Sequence, residues 1–162
     1  MLPPDPMTTY QNAPLDELLA ILLRQFRRPL AGKGVELSDA NVEILVERIV
    51  TRKALREKAT AVRLALSELV AESEAVLAGW NLTFEQSLDT EMTDIPGWES
   101  TAEFLEVASE KANAELRIST GSILLVALGD KNYTARLRFL AGREGDLDGV
   151  IAARVLDLVE NA

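Results

Sequence analysis

Apolar residues recur along this chain in different rhythms, and each rhythm predicts a different element. Over residues 14–28, Leu15, Leu18, Leu22 and Phe26 fall at steps of three and four, and Leu19, Ile21 and Leu23 widen the face. That is the period of an amphipathic helix. Asp16 and Glu17 stand at its positive end, and Arg24, Arg27 and Arg28 at its negative end. Pro29 is expected to stop it before the AGKG turn at 31–34. So wide an apolar face on so short a helix must be buried, in a core or against a partner.

From Ser38 to Ala78 there is no Gly or Pro, and Ser38 or Asp39 offers an N-cap. The pattern predicts helix throughout 38–78, roughly 60 Å if straight. Its apolar stripe does not stay in one place. Val42, Leu45, Val46 and Ile49 share one face, whereas Leu55, Ala59, Val62, Leu66 and Leu69 share another, rotated by roughly 130°. The break falls at Val50–Ala54, so either two helices meet there or one helix changes neighbours. The seam over 52–77 alternates fours and threes, as coiled-coil seams do.

After Gly79 the rhythm changes. WNLTF at 80–84 alternates apolar and polar, the period of a short strand. Residues 85–99 form an acidic stretch with Pro96-Gly97 as its turn, expected as a loop. Ser100 and Glu103 fit a capping box opening a helix over 100–117. SILLVAL, GDKN and YTARLRFL then predict a β-hairpin over 122–140. Tyr133, Ala135, Leu137 and Phe139 would share one of its faces. A terminal helix follows at 147–160. The expected fold is α+β and predominantly helical, with a long or broken central helix, a small antiparallel sheet and a C-terminal helix. The expected organisation is a disordered tail at 1–13, a helical region at 14–78 and an α+β unit at 79–162.

Composition removes several chemistries. The 162 residues contain neither His nor Cys, so Ser-His-Asp and Cys-His catalysis, disulfides and Cys/His zinc sites are excluded. No glycine-rich phosphate loop is present, and no cofactor is expected. Two acidic clusters could offer oxygen ligands to a hard cation: Asp89, Glu91 and Asp94, and Glu144, Asp146 and Asp148. EGDLDG resembles the first half of a calcium loop, but the closing glutamate position falls on Val155. Both clusters are therefore expected to be solvated loops. Trp80 and Trp98, with Phe84 between them, bracket the acidic stretch and are expected to cap the edge of a core. No basic, apolar leader pattern opens the sequence and no apolar run approaches the length of a spanning helix, so a soluble, cytoplasmic protein is expected.

Charge adds the last constraint. The net charge is −9, yet six of the seventeen basic residues lie in RIVTRKALREKATAVR, residues 48–63. Between Leu64 and Glu110 there is no Lys or Arg at all. On one continuous helix, Arg48, Arg52, Arg56 and Arg63 would fall within about 80° and form a stripe. Such a stripe could grip phosphates, but pairing with acids of a packed helix is the simpler expectation. The expected function is a non-enzymatic protein–protein interaction or assembly module. It would self-associate as a homo-oligomer through helices 14–28 and 52–77, with Leu18, Leu22, Phe26, Leu55, Val62, Leu66 and Leu69 at the interface. The alternatives are a nucleic-acid-associated protein using the arginine stripe and, more remotely, a metal-dependent enzyme using the acidic loops.

Overall fold

A computed structural model describes residues 13–55, 57–88, 101–143 and 147–160. Seven α-helices follow one another in these residues: α1 Leu15–Gln25, α2 Arg27–Gly32, α3 Asp39–Val50, α4 Glu57–Leu88, α5 Thr101–Ala127, α6 Thr134–Ala141 and α7 Leu147–Glu160. One 3-10 turn, Lys131–Tyr133, leads into α6. No β-strand occurs among the described residues, which overturns the expected α+β class.

The hairpin expected at 122–140 is instead the buried end of α5, the 3-10 turn and α6. Ile123, Leu124, Leu125, Val126, Ala127 and Leu128 are all buried. A helix surrounded by others is apolar on every side, and over six residues this cannot be told from a buried strand by periodicity. GDKN does make a turn. Gly129 takes a φ of 97°, its N–H bonds to the Val126 carbonyl, and the Asp130 N–H reaches the Leu125 carbonyl. That is a Schellman cap, which ends a helix as readily as a glycine turn joins two strands. In YTARLRFL, Leu137 and Leu140 are buried while Ala135 and Phe139 are exposed, so the working spacing is three rather than two. The strand expected at 80–84 lies inside α4, which continues past Gly79.

One further boundary differs from expectation, at Pro29, and at Val50–Ala54 the two-helix reading is the one observed. The chain stays helical across Pro29, because a turn at Phe26 restarts the helix at Arg27. Pro29 thereby sits in a first turn, where its missing N–H breaks no helical bond. Residues 38–78 are two helices. Ser38 caps α3 by accepting the Asn41 N–H at 3.2 Å. At the other end, the Lys53 N–H bonds to the Arg48 carbonyl and the Arg52 N–H to that of Ile49, with Arg52 left-handed at φ 60°. The chain then enters α4 on a new heading.

The buried half of α5 is the centre of the molecule, packing against α1, α4, α6 and α7. α4 lies along α5 as a helical hairpin, its first half (Ala59–Val70) beside the last turns of α5 (Ile123–Leu128). α1 and α3 pack together, and α6 packs on α7. The interior hydroxyls of Thr120 and Ser122 each donate to the carbonyl four residues back, Leu116 and Ile118, at 2.6 Å. They therefore enter the core with their bonds satisfied. Arg154 of α7 donates to the Ala13 carbonyl and ties down the entry to α1. Of the tail expected at 1–13, residues 1–12 lie outside the described residues, as do Ser100, Trp98 and residues 89–99 of the acidic loop expected at 85–99, whose residues 85–88 are instead the end of α4.

Candidate protein-interaction surface

Six of the seven residues expected at a self-association interface face the inside of this one chain. Leu18, Leu22, Phe26, Val62, Leu66 and Leu69 are between 0 and 5% exposed, in a single core with α5 and α7. Leu55 is half-buried against the same core. The seam spacing marked an internal helix contact, since the four-three rhythm is the same whether the facing helix belongs to the same chain or to another.

The three described arginines of the expected stripe do not share one helix. Arg48 is on α3, where its Nη1 donates to the Ala54 carbonyl at 2.8 Å and its Nε is buried without a partner. Arg52 is in the left-handed turn, Arg63 is half-buried on α4, and Arg56 lies outside the described residues. Three acidic side chains of α4 meet other bases than those of 48–63. Glu68 and Glu72 pair with Lys33, and Glu74 pairs with Arg136. Within the basic stretch, Lys53 pairs with Glu47 at 3.0 Å.

Two polar clusters hold elements together. Arg136 reaches Glu74, stands 5.6 Å from the Tyr133 ring centre and lies 3.4 Å from the Ser122 hydroxyl, while the Tyr133 hydroxyl is 3.3 Å from that of Ser67. This clasp fastens the start of α6 onto α4. The second cluster joins α1 and α2 to the cap of α3. Arg27 bonds the Leu37 carbonyl at 2.9 Å and the Asp39 carboxylate at 2.5 Å, with Arg24 at 3.9 Å from the same oxygen. The hydrogen bond from Arg27 holds the Asp39 carboxyl below its ordinary range. Hydrogen bonding to Glu72 likewise raises the Lys33 ammonium above its ordinary value.

Among the described residues, one open concave surface is a groove between α1 and α3 with a volume of about 550 Å³. Ala20, Ile21, Val46 and Val50 supply its apolar lining. Asp16 and Glu17 from α1 and Glu43 and Glu47 from α3 supply its acidic rims. Ile21 is 46% exposed. By spacing Ile21 widens the apolar face, yet it lies about 130° from the middle of the residues that α1 buries. That angle was the available signal. Asp16 and Glu17 were read only against the helix dipole, and Glu43 and Glu47 carried no motif.

No group of three or more acidic side chains able to hold a metal occurs among the described residues. Asp89, Glu91, Asp94, Glu144 and Asp146 lie outside them, and Asp148 sits in the first turn of α7. No helix among the described residues is long and apolar enough to cross a membrane. No protein-family model, curated protein or solved structure matches the chain.

Proposed function

We propose that this protein is a non-enzymatic protein-interaction module whose binding surface is the outer side of α1 and α3. The observation that carries this is the α1–α3 groove, an open concavity with an apolar lining, an exposed isoleucine and charged rims. An apolar surface edged by charge is the anatomy of a protein-binding patch. The apolar faces of α1 and α4 pack in the chain's own core, which favours a binding surface elsewhere. The outer faces of α1 and α3 remain open.

A photo-crosslinking benzophenone side chain placed at Ile21 tests this in the cells that make the protein. The expected result is a discrete protein adduct at position 21 that is not formed when the probe sits at exposed Glu115 on α5. Equal, diffuse labelling from both positions would overturn the proposal.

A further inference from the structure

We infer that the α1–α3 groove takes a positively charged amphipathic helix from a different protein; this rests on the interaction function proposed above. Asp16–Arg24 on one side and Glu43–Thr51 on the other each span a little over two helical turns, about 12 Å. The lining comes from two helices whose backbone groups are bonded internally, and no strand edge exists among the described residues. An extended peptide would find no backbone ladder to join. A helix can instead lay an apolar stripe along Ala20, Ile21, Val46 and Val50 and keep its polar side above the rims.

Charge decides the sign of the partner. Glu47 pairs with Lys53, and Arg24 also lines the groove, 3.9 Å from an Asp39 oxygen that Arg27 holds at 2.5 Å, so one base stands among four acids of the lining. Asp16, Glu17 and Glu43 are left as rim carboxylates, in a molecule whose net charge of −9 steers cations toward it. Two other occupants fit worse. A second copy docking symmetrically would set Asp16, Glu17 and Glu43 near their own images. The chain's own residues 1–12 contain one Asp and no Lys or Arg, so they offer no complementary charge.

The test uses the full chain and two labelled helical peptides of about 18 residues, one of Leu and Lys at heptad spacing and one with Glu replacing Lys, read by fluorescence anisotropy at moderate salt. The Lys peptide should bind at least about tenfold more tightly than the Glu peptide. Glu17→Lys with Glu43→Lys should weaken it about tenfold, while Glu110→Lys with Glu115→Lys, which changes the net charge equally on α5, should leave it within about threefold. Ile21→Ser should weaken it about fivefold. Equal weakening by the two double variants would reduce the effect to general attraction and overturn the proposal, as would an unchanged affinity in Ile21→Ser. If neither peptide binds while the Ile21 crosslink stays specific, the basic-helix inference falls and the interaction function stands.

Discussion

Single atoms decide several backbone positions. A Cβ at Gly149 would stand 2.7 Å from the Leu140 carbonyl oxygen and 2.8 Å from that of Arg143. Both neighbours are backbone, so Gly149→Ala should cost about 2–3 kcal/mol in urea unfolding by forcing α6 and α7 apart. A Cβ at Gly121 would meet only side chains, chiefly Val70 Cγ2 at 2.6 Å. Gly121→Ala should therefore cost about 1–2 kcal/mol, and combining it with Val70→Ala should be less damaging than the sum of the two. Arg52 presents the opposite case. It holds a left-handed position that glycine occupies at lower cost, so Arg52→Gly should stabilise the fold by about 0.5–1 kcal/mol, read as a higher urea midpoint. Asp39 should titrate below 3.8 by NMR, and Arg27→Gln should return it toward that value. Because the folded pKa is depressed, this contact's contribution is present above the ordinary carboxylate value and is lost as the pH falls through the lower, folded value.

At the scale of elements, the sequence was most legible where a polar face accompanied the apolar one. α1 and α3 announce themselves by spacing and charged ends, and Ser38 marks the start of α3. The turns at Gly34, Arg52 and Gly129 all fall in stretches that read as breaks; a turn between helices is expected at Gly34 and is one of two readings at Arg52, whereas at Gly129 only the structure shows helix on both sides. The end of α5 is ambiguous in sequence because its polar face is missing: Ile123–Leu128 is buried among helices, and the hydroxyls of Thr120 and Ser122 just before it bond to their own backbone. The seam over 55–69 was legible as a helix contact, and its partner was not, since spacing carries no record of which chain supplies the facing helix. This assigns different outcomes to two apolar truncations. Leu66→Ala should cost about 2–5 kcal/mol in urea unfolding, because a fully enclosed side chain is lost. Ile21→Ser should change stability by no more than about 0.5 kcal/mol, because the side chain is already half in water.

For the whole molecule, segregated charge now has a structural account. The acids of α4 are met by Lys33 from the turn after α2 and by Arg136 from α6, so they fasten two flanking segments to the long helix. Within 48–63, Arg48 donates to the Ala54 carbonyl and Lys53 pairs with Glu47, so both tie the α3–α4 turn to α3. Such exposed pairs contribute little stability each, but they fix which helix lies where. The groove was the least legible feature of all, because its lining comes from two helices distant in sequence and from acids that match no motif. Only packing brings them together.

The central claim is that the apolar faces of α1 and α4 close within one chain and leave an acidic groove for a different protein. Light scattering of the purified chain at moderate salt, over a wide concentration range, tests it most directly. The account predicts the mass of one chain, 17.7 kDa, at every concentration. A stable mass of two or more chains would contradict it, because it would mean that copies join through a face assigned here to the core or to another partner.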